Sequence, residues 1–216
     1  MKVAIVDYGM GNLHSVLKSV QFARESHNQK IQIFLTSDAD QVKQADKIIF
    51  PGQGAMPNCM AALHQSGLGE SIKEGLKHKP FLGICVGAQL LFDSSEEGNT
   101  AGLGWFSGQV KCFAADLCDE QSQQLKVPHM GWNQVYQSQK HPLFKQIDQN
   151  EWFYFVHSYF FAPQQTEITL GYSHYGHDFT CVVGHENVFA TQFHVEKSHH
   201  AGLQLLSNFL SWDGGI

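Results

Sequence analysis

One cysteine of the chain stands where an apolar, strand-like run gives way to a helix-like one. Cys85 lies between Gly83 and Gly87 in the stretch FLGICVGAQLL. At such a turn the central residue takes an unfavourable backbone conformation and stands above the sheet, as in a nucleophile elbow. The N–H groups at the start of the following helix favour a thiolate over a thiol. The pattern indicates a nucleophile or, as for most free cysteines, a small core residue.

A nucleophilic thiol needs a base, and the base needs an orienting group. His194 and Glu196 supply these residue types in ATQFHVEK. They are two apart at the end of a predicted strand, so both side chains can point to one face. The chain has 13 histidines, so a chance His-x-Glu pair on a solvated strand edge is the competing interpretation.

A metal site is a further possibility, because His199 and His200 follow closely in the sequence. Zinc deaminases join H-x-E to P-C-x-x-C, and zinc proteases carry H-E-x-x-H. The sequence has neither pattern. We therefore predict no metal ion and no other cofactor.

A glycine-flanked turn in PGQGAM is the third feature that suggests chemistry. Gly52 and Gly54 leave the peptide at Gln53 free to take unusual dihedral angles, so its N–H can point at an anionic oxygen. An ordinary strand-to-helix turn is the competing interpretation. All three features lie at ends of predicted strands, the rim where doubly wound sheets place their sites.

The first half of the chain alternates between strands and helices. We predict strands over residues 2–7, 31–35 and 47–50, the last stopped by Pro51 and Gly52. We predict a helix over residues 12–26, capped by Asn12, and a second helix that begins at Ser37 or Asp38. A third helical stretch ends at about residue 79, and a fourth covers residues 87–92. This order indicates a mostly parallel sheet with helices on both faces.

The second half is richer in strands. We predict them over residues 105–113, 126–130, 152–161, 168–172, 179–184 and 188–193. An amphipathic helix capped by Ser198 ends the chain. DEQSQQ at residues 119–124 is predicted to be an exposed loop. We find neither a repeat nor a linker and predict one α/β domain over residues 1–216.

The composition bounds the function. A 43% hydrophobic and 16% charged chain is that of a globular protein. A net charge of −6 without a basic block argues against nucleic acid or an anionic membrane as a partner. No signal peptide or membrane-spanning stretch is indicated. The five scattered cysteines lack C-x-x-C spacing and predict a reducing, cytoplasmic setting.

Together these motifs resemble those of the class I, triad-type glutamine amidotransferases, which carry G-x-C-x-G-x-Q and, near the C-terminus, Q-F-H-P-E. The corresponding stretches are GICVGAQ and QFHVE. VDYGMGNLHSV, PGQGAM, VPHMGWN, YFVHSY and FHVEKS are similar to the glutaminase subunits of imidazole glycerol phosphate synthases and span residues 6–198. The resemblance implies a flavodoxin-like, single-domain amidotransferase fold with a central, mostly parallel sheet and flanking helices.

The resemblance also implies roles for single residues. Cys85 would attack the side-chain amide of L-glutamine and form a γ-glutamyl thioester. His194 would protonate the leaving ammonia and then activate water, and Glu196 would hold the imidazole in its working tautomer. The oxyanion hole would be formed by N–H groups of Val86 and the Gly52–Gln53 turn. The residues expected to hold glutamine are Gln89, Tyr154, His157, Ser158 and Tyr159.

A chain of 216 residues is expected to leave no room for a domain that consumes ammonia. The resemblance implies a heterodimer with a (β/α)8-barrel cyclase subunit, which would use the ammonia to make imidazole glycerol phosphate. The residues implied to face it are Tyr8, Asn12, Met130, Trp132 and Lys197. A core aromatic for Trp132 and a solvated charge for Lys197 are the competing interpretations.

Two positions depart from the family pattern. Gln53 stands where the family usually has valine, and Val195 stands where it has proline, which gives up a fixed φ beside the triad. These departures leave open a paralogue that supplies ammonia to a different synthase. A free-standing cysteine γ-glutamyl hydrolase and a non-catalytic subunit are two rival hypotheses. We also expect slow hydrolysis by the isolated chain and activation by a partner that reorients the Gly52–Gln53 peptide.

Overall fold

The computed structural model describes residues 1–215. The helices are α1 (Leu13–Arg24), α2 (Ala39–Gln44), α3 (Met56–Ser66), α4 (Gly69–His78), α5 (Val86–Gln89) and α6 (His199–Ser211). The strands are β1 (Lys2–Val6), β2 (Gln32–Thr36), β3 (Lys47–Gly52), β4 (Phe81–Cys85), β5 (Phe92–Ser95), β6 (Thr100–Ala101), β7 (Phe106–Cys112), β8 (His129–Gln137), β9 (Glu151–His157), β10 (Tyr159–Pro163), β11 (Thr169–His174), β12 (Asp178–His185) and β13 (Val188–Thr191).

The strands form one connected sheet with a parallel first part. Its order begins β2-β1-β3-β4-β13, and each neighbouring pair in this run is parallel. It continues through β12-β10-β7-β5-β6, where the pairs are antiparallel except for β5 with β7. β11, β8 and β9 branch from β12. The predicted α/β fold with a parallel centre, flanking helices and a more β-rich second half is confirmed.

The helices cover both faces of the parallel strands. α1 packs against α6, and α2 packs against α4. Right-handed crossovers place these two pairs on opposite faces of the sheet. All five residues of β4 are buried, as expected for a central parallel strand covered on both sides. Cys85 therefore ends a strand that the core holds rigidly.

Three boundaries in the first half differ from prediction. The helical stretch before β4 is two helices, α3 and α4, because Gly67 adopts a left-handed φ of +72° between them. β3 does not stop at Phe50 but continues to Gly52, since it stays paired with β4. α5 ends at Gln89, and Phe92 begins β5 instead of ending a helix. Its ring packs against those of Phe106 and Phe161, so tertiary packing overrides the helical pattern.

Two strand predictions in the second half are wrong in extent. The strand predicted over residues 126–130 begins only at His129, after Pro128, which has no N–H to donate to a ladder. It then continues to Gln137, through polar residues that gave no strand signal. The run over residues 152–161 is two strands, since β9 pairs with β8 whereas β10 pairs with β7 and β12.

The predicted caps have mixed outcomes. The Asp38 side chain accepts hydrogen bonds from the N–H groups of Asp40 and Gln41 and caps α2 as predicted. Asn12 precedes α1, but its side chain makes no capping hydrogen bond. Ser198 precedes α6 without capping it, because its hydroxyl has other partners.

Lys47 is a buried cation that fixes the end of α6. Its Nζ donates hydrogen bonds to the carbonyl oxygens of Phe209, Leu210 and Trp212, which a helix end leaves without partners.

Among residues 1–215 no helix is both long and apolar enough to cross a membrane. The same residues contain no group of three or more His, Cys, Asp or Glu side chains placed to hold a metal ion.

Candidate active site

Cys85 lies at the sharp turn between β4 and α5. Its backbone takes φ +55° and ψ −117°, a conformation that costs free energy in a non-glycine residue. Glycine at position 87 is required by space, because a Cβ there would overlap the carbonyl oxygen of Phe50. The elbow predicted from G-x-C-x-G is therefore present, and it puts the sulfur at the N-terminus of α5.

His194 and Glu196 lie in the segment that follows β13. β13 is parallel to β4 with Thr191 opposite Ile84, so the chain leaves β13 beside Cys85. His194 Nδ1 lies 2.8 Å from Glu196 Oε1, and both side chains are deeply buried, their exposed fractions being 4% and 2%. No atom of residues 1–215 forms a hydrogen bond with His194 Nε2, which is buried and free to act on a ligand.

The electrostatics of this pair favour a charged imidazole. Burial lowers the pKa of His194, but the Cys85 sulfur and the Glu196 carboxylate outweigh it and raise the pKa to about 10. A charged His194 imidazolium beside the Cys85 sulfur is therefore favoured at neutral pH. The site holds a nucleophile and a proton donor at the same time.

A closed set of hydrogen bonds locks the His194 segment onto β9. The His194 N–H donates to the Tyr154 carbonyl at 2.9 Å, and the Tyr154 N–H donates to Ser198 Oγ at 3.0 Å. Ser198 Oγ in turn donates to the His194 carbonyl at 2.6 Å. The hydroxyl predicted to cap α6 therefore fixes the position of His194 instead.

A cavity of about 300 Å³ opens at the sulfur. Its volume lies at the small end of ligand sites and suits a molecule of amino-acid size. It is lined by Cys85 and His194 together with Gln53, Gly54, Val86, Gln89, Glu97, Pro128, Val156, His157, Ser158 and Tyr159.

Two buried glutamines connect the cavity wall to the sulfur. Gln89 Nε2 donates to the Tyr159 carbonyl at 3.3 Å and to Gln192 Oε1 at 3.1 Å. Gln192 Nε2 then lies 3.8 Å from Cys85 Sγ, within hydrogen-bonding distance for sulfur. An amide therefore lies within hydrogen-bonding distance of the nucleophile, and the His194 imidazole lines the same cavity.

Residues 4–212 match the family described as Glutamine amidotransferase class-I. The chain belongs to this family. A curated relative from Neisseria gonorrhoeae, "Imidazole glycerol phosphate synthase subunit HisH", is 65% identical over 98% of this chain and 100% of its own length. The relative of the same name from Chromobacterium violaceum is 60% identical over the whole of both chains. A solved structure described as a glutamine amidotransferase has a TM-score of 0.70 at 14% identity, covering 97% of each chain, which supports the fold.

The oxyanion residues expected for an amidotransferase lie around the sulfur. Val86 is the first residue of α5, and Gly52 pairs with Cys85 across β3 and β4. A Cβ at position 52 would overlap the backbone nitrogen of Gly87, so glycine is required here too. Gln53 is exposed and lines the cavity, whereas Val195 is buried and holds its segment by packing.

Two tyrosines are not where the predicted roles require them. Tyr154, predicted to hold glutamine, does not line the cavity. Its ring meets Trp132 edge-on at 5.9 Å and lies 5.7 Å from Lys197 Nζ. Tyr8, predicted to face a partner, is only 3% exposed and packs against Phe50.

His157 lines the cavity, but both of its ring nitrogens have partners within the protein. Nδ1 donates to the Tyr159 carbonyl at 2.8 Å, so Nε2 must accept from His129 Nδ1 at 2.9 Å. His129 Nε2 then accepts from Asn133 Nδ2 at 3.2 Å. His157 shapes the wall and has no ring nitrogen left for glutamine.

Two contributors to the site carried no clear sequence signal. Gln192 belongs to the QFHVE stretch, yet nothing in that stretch indicates contact with the sulfur. Glu97 lies in a polar loop after β5, and its Oε2 accepts a hydrogen bond from the Met56 N–H at 2.7 Å. This bond connects the loop to the start of α3 and holds the Glu97 carboxylate at the cavity. The position of Glu97 thus depends on a contact between residues far apart in the sequence.

Three buried histidines make the stability of the fold sensitive to acid. Burial lowers the pKa of His129 and of His141 to about 4, and burial with the nearby His129 lowers that of His157 to about 3. The unfolded chain takes up protons as the pH falls through about 6.5, whereas the folded chain stays neutral at these positions. The free energy of unfolding is therefore expected to fall by about 1 kcal/mol per pH unit for each histidine between pH 6.5 and 5.

Urea unfolding at several pH values measures this loss. Replacing His141 by leucine is expected to reduce the slope, whereas His64→Asn, at an exposed site, leaves it unchanged. A free energy of unfolding that stays level or rises from pH 6.5 to 5 contradicts the prediction.

Proposed function

We propose that the chain hydrolyses L-glutamine to glutamate and ammonia at Cys85 and supplies the ammonia to the cyclase subunit of imidazole glycerol phosphate synthase in histidine biosynthesis. The observation that carries the chemistry is the buried His194–Glu196 pair facing the sulfur at a strained elbow. The destination of the ammonia is supported by relatives that are 60–65% identical over their full length. One connected sheet and one core support the proposal of a single domain.

The first half of the reaction makes a thioester. The Cys85 thiolate attacks the side-chain amide carbon of glutamine, and the amide oxygen becomes an oxyanion. We propose that the Val86 N–H at the start of α5 and the N–H of the Gly52–Gln53 peptide stabilise that oxyanion. His194 Nε2 gives its proton to the departing nitrogen, and ammonia leaves.

The second half frees glutamate. Neutral His194 takes a proton from a water molecule, which attacks the thioester carbon. The sulfur leaves as a thiolate beside the imidazolium, and the starting state is restored. Glu196 accepts from Nδ1 throughout, so Nε2 always faces the reacting atoms.

The cavity also has polar groups that suit the α-amino end of glutamine. Its wall contains the Glu97 carboxylate, which suits an α-ammonium group. Gln89 and Ser158 add polar side chains to the same wall. We propose that this arrangement orients glutamine with its side-chain amide toward Cys85, and that Tyr154 contributes only through its backbone.

An exposed apolar patch is the proposed docking surface for the cyclase subunit. Met130, Trp132 and Trp152, which we call the aromatic patch, are 63%, 41% and 50% exposed and line one groove. Exposed aromatic side chains are typical of protein interfaces. Trp132 is linked through Tyr154 to the hydrogen bonds that hold His194, so the patch and the active site share a strand.

The other proposed partner-facing residues lie near the active site. Lys197 directly follows Glu196 and lies over the Tyr154 ring. Asn12 is exposed and directly follows Gly11. A Cβ added to Gly11 would lie 3.9 Å from the Gly52 backbone. A partner that contacts Asn12 is thus close enough to bias the Gly52–Gln53 peptide. A cytoplasmic location and a (β/α)8 fold for that partner stay predictions.

Replacing Trp132 by alanine is expected to weaken binding of the cyclase subunit by at least about 30-fold, because a large aromatic at an interface centre contributes about 2 kcal/mol or more. Isothermal titration calorimetry of the two chains measures the change. Phe22→Ala is the matched control, since Phe22 is also well exposed but lies on α1 outside the aromatic patch. Equal affinities for the wild type and Trp132→Ala place the interface elsewhere.

The proposed function is tested by growth. A histidine auxotroph that lacks its glutaminase subunit is expected to grow when given this chain, and not when given Cys85→Ala. Ammonia release by the purified chain is expected to rise by at least about tenfold with the cyclase subunit and its nucleotide. Equal release with and without them supports a free-standing hydrolase. Glutaminase activity without growth rescue supports a different acceptor.

A further inference from the structure

Gln192 has a contact that the triad does not account for. Its side chain is completely buried, and its Nε2 lies 3.8 Å from Cys85 Sγ. It stands two residues before His194, on the chain that leaves β13. The nucleophile is therefore approached by an imidazole and an amide from the same segment.

The orientation of that amide is set by its neighbour. Gln89 Nε2 donates to Gln192 Oε1 at 3.1 Å, so the oxygen of Gln192 faces Gln89. Gln89 is itself held by donation to the Tyr159 carbonyl at 3.3 Å. The N–H end of Gln192 then necessarily faces the sulfur. A turned amide would point oxygen at sulfur and nitrogen at nitrogen, losing both hydrogen bonds.

We infer that Gln192 donates a hydrogen bond to the Cys85 thiolate and helps to keep it ionised, with Gln89 as the residue that positions it. A donor that bonds only the charged form of a group stabilises that form. Hydrogen bonds to charged groups are about twice as strong as neutral ones. Gln192 thus adds to His194 without changing the net charge of the site. The inference shares with the proposed function only the choice of Cys85 as nucleophile.

The other groups near the sulfur are accounted for. His194 is the cation, with Glu196 behind it. Tyr8, in the loop after β1, and Cys59, in α3, have pKa values that burial raises, so both stay neutral near pH 7. The Glu97 carboxylate lines the same cavity.

Alkylation by iodoacetamide tests the inference without glutamine. The rate for each cysteine is measured between pH 5 and 9 by peptide mass spectrometry of the full-length chain. Gln192→Met keeps the size but has no donor, and it is expected to move the midpoint for Cys85 up by about one pH unit. Gln192→Glu adds a negative charge and is expected to move it further. The exposed Cys112 and Cys118 are internal references whose profiles stay unchanged.

If the folded Gln192→Met variant has the same pH midpoint for Cys85 alkylation as the wild type, the inference is wrong. This holds even if the variant has a lower melting temperature. If that variant does not fold, an NMR measurement on the wild-type protein tests the inference. Its Gln192 side-chain amide protons are expected to shift in NMR spectra as Cys85 ionises, and Cys85→Ser to abolish the shift. Amide protons that do not follow the ionisation also overturn it. Neither result depends on glutamine turnover, which Cys85→Ala tests separately.

Discussion

Replacing Cys85 by alanine is expected to lower the rate of glutamine hydrolysis at least about 10⁴-fold. Without the sulfur no thioester forms, and a water held in the cavity is a much weaker nucleophile. Oxyanion N–H groups and a bound substrate leave only a small residual rate. Glutamate formation in the presence of the cyclase subunit and its nucleotide measures the change.

The control for this variant is a cysteine that plays no part in the chemistry. Cys112→Ser changes an exposed thiol on β7 and is expected to retain full activity. Circular dichroism establishes that both variants fold. A folded Cys85→Ala protein that keeps more than about a hundredth of the rate rules out Cys85 as the nucleophile.

Replacing Glu196 by glutamine is expected to lower kcat by about 10² to 10⁴-fold. The 2.8 Å contact with His194 Nδ1 then loses its charge, and an amide that turns its NH₂ group to Nδ1 forces the proton onto Nε2. That tautomer cannot accept a proton from water. The pKa of His194 also falls, because the carboxylate no longer supports the imidazolium.

The division between kcat and KM identifies the role of Glu196. This carboxylate does not line the cavity, so KM for glutamine is expected to change little. Glu70→Gln, at an exposed position on α4, is the matched control and is expected to leave both constants unchanged. A Glu196→Gln variant with normal kcat and raised KM contradicts the orienting role.

The sequence predicted the parts of the site that short patterns specify. A cysteine between two glycines after an apolar run favours an elbow, and the structure has one at Cys85. A His-x-Glu pair gains meaning only when its strand lies beside the nucleophile's strand, and the parallel pairing of β13 with β4 provides this. The alternation of strands and helices sufficed for the parallel first half.

The parts that the sequence missed depend on contacts between distant residues. The sequence predicts Ser198 as a helix cap, but its hydroxyl accepts a hydrogen bond from the Tyr154 N–H of β9 instead. His157 looks available for substrate until His129, 28 positions away, donates to its second nitrogen. Gln192 reaches the sulfur because Gln89 holds its other end. Periodicity and local propensity carry no information on such pairs.

Labelling with 6-diazo-5-oxo-L-norleucine, a glutamine analogue that alkylates the nucleophile of glutamine-dependent enzymes with loss of nitrogen gas, tests the central claim most directly. Mass spectrometry of the labelled protein, in complex with the cyclase subunit and its nucleotide, is expected to show one adduct, on Cys85. Excess L-glutamine is expected to slow the labelling, and Cys85→Ala to abolish it. An adduct on a different residue, or labelling of Cys85 that glutamine does not slow, contradicts a glutamine site at this triad.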